Sequence, residues 1–244
     1  MSRLLPADGR VAVAVATTGA DAATCLAQTR AAAAAGADVV ELRADLLADP
    51  DPLGACGHLK GPSRLEGPGR CGVPGRIGDV AGLAGDVVDA AGGAPVLLTV
   101  RTAAEGGGAG LDDGAYCDLL HRLIEGLADL EAARRPAALD VEQARGGAAE
   151  LVARAHGAGL DVVVSHHDLR ATPADEAMLA RLRAMADAGA DIAKLAVTPR
   201  GPRDVARLLG VTARAGEELD VAVATMSMGP LGAVSRLSGA VFGS

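Results

Sequence analysis

The alternation of two kinds of segment along the 244-residue chain is the feature that most constrains its fold. Short apolar runs rich in Val, Ile and Leu alternate with longer Ala-rich stretches, which is the pattern of strands joined by helices in a parallel sheet. The apolar runs predict eight strands, at residues 11–15, 39–42, 96–100, 137–141, 161–165, 192–196, 221–225 and 239–242. The stretches between them predict helices at residues 21–35, 79–91, 112–133, 147–156, 173–188 and 202–215.

Eight strands joined by helices in a chain of this length match the (β/α)8 barrel, which typically uses about 250 residues. The strands are continuous apolar runs more than alternating ones, as expected where both faces of a sheet are covered. We therefore predict an α/β fold, a (β/α)8 TIM barrel that forms a single domain over residues 1–244. Hydrophobic periodicity alone leaves a doubly wound open sheet as the alternative.

Two segments fit the barrel poorly. Residues 54–78 are rich in Gly, Pro and Arg with little apolar periodicity, which predicts a long surface loop after the second strand. The sequence also stops at Ser244, directly after the eighth predicted strand, so the last helix of a complete barrel is expected to be missing.

The net charge and the cysteine spacing limit the kinds of molecule that the protein is expected to bind. The chain has 23 basic and 31 acidic residues, a net charge of −8, which disfavours binding to nucleic acid or to an anionic membrane. It has no apolar run approaching the roughly 18 residues of a membrane helix. The four cysteines form no CxxC pair and no histidine lies at zinc-finger spacing, so we expect no metal site. These features predict a cytoplasmic protein that acts on a small molecule.

Polar residues cluster where the predicted strands end. In a barrel the carboxyl ends of the strands form one mouth, where the chemistry takes place. The ionisable residues at such positions are Glu41, Arg43, Arg101, Glu105, His166, His167 and Lys194. Glu41 and Arg43 share a strand face, so they form either a structural ion pair or part of a substrate site. His166 and His167 are adjacent and are expected to point to opposite faces, so that only one enters the mouth.

Lys194 is the most informative of these residues. The chain has 21 arginines and only two lysines, Lys60 and Lys194, and Lys194 lies inside an apolar strand. A buried ammonium group is costly, so this side chain is expected to be ion-paired, solvated by the mouth or deprotonated. A deprotonated lysine attacks carbonyl carbons to form a protonated imine, and a nearby histidine can move the protons. The residues alone indicate a Schiff-base lyase or aldolase for an anionic carbonyl substrate, with a buried ion pair as the structural alternative.

Five ordered motifs around these residues resemble type I 3-dehydroquinate dehydratase, a Schiff-base enzyme of the shikimate pathway. They are VELRADLL at 40–47, LLTVRTAAEGG at 97–107, VVVSHHDL at 162–169, DIAKLAVTP at 191–199 and MSMGPLGAVSRLSGAVFGS at 226–244. The resemblance extends from the second predicted strand to the last residue. It implies a (β/α)8 barrel, a homodimer, no metal or organic cofactor, and conversion of 3-dehydroquinate to 3-dehydroshikimate and water.

The resemblance also implies roles for individual residues. Lys194 matches the imine-forming lysine, His167 the histidine that acts as general acid and base, and Glu105 the acid that orients His167. The residues that match substrate-binding positions are Glu41, Arg43, Arg101, Met228 and Arg236. His166 stands where the family often has an aromatic or other residue, and it is expected to be structural.

One part of the family pattern does not follow the last motif. After Phe242, Gly243 and Ser244 the pattern usually continues with a loop that closes over the substrate, and then a final helix. Without this lid the activity is expected to be weakened, because water enters the site and the substrate binds less tightly. Another class I Schiff-base lyase or aldolase, or a lid-less inactive homologue, remain the alternatives.

Overall fold

The computed structural model describes residues 2–6, 8, 10–47 and 76–244. The predicted loop at 54–78 lies outside the described residues up to residue 75. Its last three residues belong to the first turn of a helix that begins at Arg76.

Parallel strands alternate with helices along the described part of the chain. The strands are β1 (Ala14–Ala16), β2 (Val39–Arg43), β3 (Val96–Thr99), β4 (Ala138–Glu142), β5 (Asp161–Asp168), β6 (Ile192–Val197) and β7 (Ala222–Ser227). The helices are α1 (Ala22–Ala34), α2 (Arg76–Ala90), α3 (Asp113–Ala128), α4 (Ala148–Gly157), α5 (Asp175–Asp187), α6 (Pro202–Glu218), α7 (Ala233–Leu237) and α8 (Gly239–Phe242). None of these described helices combines the length and hydrophobicity needed to cross a bilayer.

The strand order decides between the two predicted architectures. The seven strands are hydrogen-bonded in the order of the sequence, from β1 to β7, and each neighbouring pair is parallel. A doubly wound sheet reverses its strand order at a switch point, and the strands in the described part of the chain show no reversal. The α/β fold therefore has the strand order of the predicted (β/α)8 barrel, with seven of its strands in the described residues.

The helices begin and end close to the predicted residues, for the reasons that the caps suggest. The Asp21 side chain accepts a hydrogen bond from the Thr24 backbone N–H at 2.8 Å at the start of α1, and Asp112 does the same at the start of α3. Proline is the first residue of α6, where its missing N–H costs nothing. Gly36 follows α1 with a φ of 84°, a conformation that favours glycine.

The eighth predicted strand is wrong, because residues 239–242 form the short helix α8. The backbone N–H groups of Val241 and Phe242 donate to the Ser238 carbonyl instead of to a neighbouring strand. Two of the four residues are Gly and Ala, which have low strand propensity. The segment nevertheless contacts the edge of the sheet, since the Ser244 hydroxyl accepts a hydrogen bond from the Thr225 N–H of β7 at 2.9 Å.

Two hydrophobic clusters hold the fold together. The larger one lies between the sheet and the helices, and includes Leu42, Leu98 and Leu139. The second, which we call the amino-end cluster, fills the barrel at the amino ends of the strands and consists of Leu4, Val39, Leu97, Ala138, Val163 and Ile192. Leu4 is held there by its neighbour Arg3, which pairs with Asp161 at 3.1 Å. The N-terminal segment thus closes one end of the barrel and leaves the carboxyl end as the mouth.

Candidate active site

Three charged side chains from alternate strands meet inside the carboxyl end of the barrel. Glu41 lies on β2, Asp140 on β4 and Lys194 on β6. The Lys194 Nζ atom is 3.5 Å from Asp140 Oδ2 and 3.8 Å from Glu41 Oε1. Alternate strands supply one layer of side chains in a barrel interior, which explains why these three meet.

Lys194 is both ion-paired and accessible, so two of the predicted alternatives, an ion pair and solvation by the mouth, apply at the same time. Its side chain keeps 14% of its surface exposed, and the amine is therefore reachable from the mouth. Glu41 is held in place by the Thr99 hydroxyl, which donates to Glu41 Oε1 at 2.7 Å. The nitrogen thus lies among fixed carboxylates, where a cation formed on it is stabilised.

Arg101 follows β3, is buried, and connects the carboxylates. Its side chain is 4% exposed, and its Nη2 atom is 2.8 Å from Asp140 Oδ1. Its Nη1 atom is 3.2 Å from Glu142 Oε1 and donates to the Ser165 hydroxyl at 2.8 Å. Burial opposes ionisation of Asp140, but the charges of Arg101 and Lys194 outweigh it and lower the pKa of Asp140 to about 2. Asp140 is therefore a carboxylate at neutral pH.

Glu105 orients the imidazole of His167. Glu105 Oε2 is 2.9 Å from His167 Nδ1 and accepts a hydrogen bond from the His167 backbone N–H at 3.1 Å. Burial opposes ionisation of Glu105, but its polar contacts with His166 and His167 and the charge of Arg101 lower its pKa to about 2. Burial lowers the pKa of His167, with further lowering by Arg101 and Lys194 and opposition from the Glu105 hydrogen bond. At neutral pH the imidazole is therefore uncharged, with Nδ1–H facing Glu105 and Nε2 free to accept a proton.

The two adjacent histidines do not separate as predicted. His166 Nδ1 lies 3.2 Å from Glu105 Oε1, so both imidazoles reach the same carboxylate. The expectation that only one imidazole enters the mouth is wrong. Glu105 lies in the loop after β3, and its side chain passes the end of β4, at Glu142, to contact β5. There each of its two carboxylate oxygens lies next to a different histidine.

Gly107 explains why the short loop after β3 places Glu105 where it does. A side-chain carbon at Gly107 would lie 2.2 Å from the Arg101 carbonyl oxygen, so only glycine fits there. The tight approach lets the Gly107 N–H donate to the Thr102 carbonyl at 2.8 Å. The loop is thereby folded back on the strand end, with Glu105 pointing into the barrel.

The other residues predicted to bind substrate lie at neighbouring strand ends. Arg43 is 21% exposed and makes a double hydrogen bond to Asp45, at 2.8 and 2.7 Å. Met228 follows β7 and donates its backbone N–H to the Val197 carbonyl at 2.8 Å. Arg236 is on α7 and donates to the Ser227 carbonyl at 3.3 Å. One contact network thus contains five of the predicted site residues: Lys194, Glu41, Arg101, Glu105 and His167. The other three lie outside this network, at neighbouring strand ends: Arg43, Met228 and Arg236.

Sequence reasoning missed two buried acids of the network, Asp140 and Glu142. Both are fully buried. Their signal was present, because Asp140 lies in the predicted strand at 137–141 and Glu142 directly follows it, and residues two apart on a strand share one face, as Glu41 and Arg43 do. Tyr116, the only tyrosine of the chain, contacts the last residue of β4 from α3, since its hydroxyl accepts a hydrogen bond from the Glu142 N–H at 2.9 Å. In the described part of the chain, no cluster of three or more His, Cys, Asp or Glu side chains could hold a metal ion.

Comparison with known proteins places this site in a family. The model of the family described as type I 3-dehydroquinase matches residues 13–244. The chain belongs to this family. The resemblance of the five motifs is thereby confirmed.

Individual relatives agree with this assignment. The 3-dehydroquinate dehydratase of Enterococcus faecalis is 36% identical over 171 residues, which are 68% of this chain and 64% of that protein. The matched region thus spans less than two thirds of that relative's length. The Lactiplantibacillus plantarum 3-dehydroquinate dehydratase is 37% identical over 242 residues, 96% of this chain and 82% of the relative. The solved structure of the Enterococcus faecalis enzyme superposes with a TM-score of 0.78 at 31% identity, covering 96% of this chain and 85% of that one.

Proposed function

We propose that the protein is a hydro-lyase of the shikimate pathway that dehydrates 3-dehydroquinate to 3-dehydroshikimate through an imine on Lys194. One observation carries this proposal. The accessible amine of Lys194 and the imidazole of His167, which Glu105 orients, are connected by one buried network of carboxylates and Arg101. Membership of the type I 3-dehydroquinase family and the names of its relatives support the substrate.

The first step is formation of the imine. The Lys194 amine, once unprotonated, attacks the ketone carbon of the substrate, and the resulting carbinolamine loses water. The product is a protonated imine, whose positive charge lies close to Asp140 and Glu41. These carboxylates are held in place before the substrate arrives, so they stabilise the cation without reorganising.

The second step is elimination. His167 Nε2 removes a proton from the carbon next to the imine, and the released electron pair moves toward the protonated imine. The electrons then return to expel the hydroxyl group on the following carbon, and the proton held by His167 leaves with it as water. Hydrolysis of the imine consumes the water molecule that its formation released, so each turnover yields one water.

The arginines divide into two roles. The substrate is a carboxylate, and Arg43 and Arg236, which are more exposed than Arg101, are proposed to bind it together with Glu41 and Met228. Arg101 matches a substrate-binding position, but its contacts are with four groups of the protein. We therefore propose that Arg101 positions Asp140 and Glu105 instead of contacting the substrate.

We also propose that the protein acts in the cytoplasm as a homodimer, without a metal or organic cofactor. The residues that support association are apolar and exposed near the C-terminus: Leu231, Val234, Leu237 and Val241. Sedimentation equilibrium tests this state. A mass of two chains is expected, and a mass of one chain at micromolar concentration contradicts it.

Chemical trapping tests the proposed reaction. The protein is mixed with 3-dehydroquinate and sodium borohydride, and intact mass and peptide mapping locate the adduct. We expect a stable adduct on Lys194 and none in Lys194→Arg. An adduct at another residue contradicts the imine assignment. A Lys194 adduct without turnover identifies the inactive homologue, and retro-aldol cleavage of a sugar phosphate identifies an aldolase.

A further inference from the structure

The two oxygens of Glu105 have unequal surroundings. Three donors lie near Oε2: His167 Nδ1 at 2.9 Å, the His167 backbone N–H at 3.1 Å and Arg101 Nη1 at 3.4 Å. Oε1 has His166 Nδ1 at 3.2 Å. Both atoms of this last contact are buried, and neither forms a hydrogen bond in the described part of the chain. They lie 3.2 Å apart without the alignment of a hydrogen bond, and each is left with a polar group of the other side chain facing it. His166 Nδ1 is thus the polar group that faces Oε1.

We propose that His166 is a positioning residue of the dehydratase site, whose Nδ1 holds Glu105 Oε1 and so directs Oε2 to His167. This inference rests on the proposed function. When hydrogen-bond donors contact only one oxygen, the carboxylate group can still rotate about the bond between Cγ and Cδ. A second donor on the other oxygen fixes the plane, and the plane of Glu105 decides how well Oε2 faces His167 Nδ1.

The protonation states agree with this role. Glu105 is ionised, so it accepts hydrogen bonds and donates none. Both imidazoles approach it through Nδ1, and an uncharged histidine can donate there while Nε2 remains unprotonated. His167 thereby keeps the tautomer that a general base requires.

Several charged groups face this pair from the neighbouring strands. Arg101 and Lys194 lower the pKa of His167, whereas Asp140 raises it. The pKa of Glu142, at the end of β4, is raised mainly by burial and further by repulsion from the charge of Glu105. These groups remain in place when His166 is replaced, so a change in the titration of His167 reports the Glu105 contact.

Two substitutions separate a hydrogen-bonding role from a packing role. His166→Asn keeps an N–H donor at about the distance of Nδ1 from the backbone. His166→Leu keeps apolar bulk and removes the donor. His166→Ala also lacks the donor and replaces the Leu variant if thermal melting shows that the latter is unfolded.

The kinetic test compares kcat and KM for 3-dehydroquinate. We expect His166→Leu to lower kcat about tenfold or more with KM changed less than about threefold, because the acid–base step is impaired and binding is not. His166→Asn is expected to recover most of the loss. Equal losses in both variants show that ring packing matters instead of the donor, and unchanged kcat in His166→Leu overturns the proposal.

A second test needs no turnover. The His167 imidazole is titrated by NMR, with His156→Asn, a distant surface histidine next to Asp191, as a resonance-assignment control. In His166→Leu the weakened Glu105 contact is expected to lower the pKa of His167 by about half a pH unit or more, and His166→Asn stays near the wild type. An unchanged titration in His166→Leu overturns the proposal. Failure of the unmodified protein to trap substrate contradicts the proposed function alone, since the NMR result still decides the role of His166.

Discussion

The two ends of the barrel interior are built by the same five strands with opposite chemistry. At the amino end the inward residues of β2 to β6 are apolar, and two positions later on each strand they are polar or charged. The pairs are Val39 and Glu41, Leu97 and Thr99, Ala138 and Asp140, Val163 and Ser165, and Ile192 and Lys194. Residues two apart face the same side of a strand at a distance of about 7 Å, so one step along the strands separates a hydrophobic layer from the chemistry.

The comparison shows how the fold separates stability from function. The amino-end cluster stabilises the barrel by removing apolar surface from water. In the polar layer, burial of Arg101, Asp140 and Glu142 costs solvation free energy that their mutual contacts offset. The polar layer is thus held by mutual pairing, whereas the apolar layer is held by packing. Substitutions in the two layers should therefore change different measurements.

The largest effect is expected from the polar layer, in Lys194→Arg. Arginine keeps a positive charge beside Asp140 but cannot form the imine, so turnover should fall at least about 10³-fold with no trapped adduct. Steady-state assay and intact mass measure this. Melting temperature serves as the control for folding and should stay close to that of the wild type. Unchanged turnover would end the imine hypothesis.

The next effect is expected from His167→Ala. Removal of the general acid and base should lower kcat by about 10²-fold or more, while borohydride still traps some substrate on Lys194. Separate rate and trapping measurements distinguish the two steps. Complete loss of the adduct in folded protein would show that His167 is needed for the imine itself.

Leu4→Ala tests the opposite end of the barrel. It should lower the free energy of unfolding by about 2–3 kcal/mol, because it leaves a cavity in the amino-end cluster, and it should leave kcat within about twofold. Urea denaturation measures this, with Val13→Ala as the control, because Val13 is apolar and lies outside the patch proposed to form the dimer. Val13 is 57% exposed, and its replacement should change stability by less than about 0.5 kcal/mol. A large loss of kcat in Leu4→Ala would show that the two layers are coupled.

The smallest effect concerns the acid dependence of stability. The pKa values of Glu105 and Asp140 are about 2 in the folded protein and near 4 when unfolded, so the folded state binds fewer protons. The stabilisation is present above about pH 5 and is lost as the pH falls toward 2. The lowered pKa of His167 acts in the same direction, making stability rise with pH up to about 6.5.

Urea denaturation at pH 7 and pH 3.5 measures this acid dependence. The loss of stability between these pH values should be about 1 kcal/mol smaller in Glu105→Gln than in the wild type. An equal loss in both proteins would show that Glu105 has an ordinary pKa in the folded state.

Local sequence patterns predicted much of the barrel. Seven of the eight predicted strands and the helices between them overlap observed elements, because apolar periodicity and caps such as Asp21 act within a few residues. The strand predicted at residues 239–242 is wrong, because the secondary structure of a four-residue run with Gly and Ala depends on what it packs against. The positions of Glu105 and His167 near strand ends, and of Lys194 within a strand, were also predicted from the sequence.

The sequence by itself determined the family, the order of elements and which residue types stand at the strand ends. Only the tertiary structure decided that Asp140 approaches Lys194, that Arg101 is enclosed by protein groups, and that His166 and His167 share Glu105. The physical reason is that these contacts join residues from different strands, separated by tens of positions. Their distances are set by the curvature of the sheet and by the glycine-dependent loop after β3, and no local pattern specifies them.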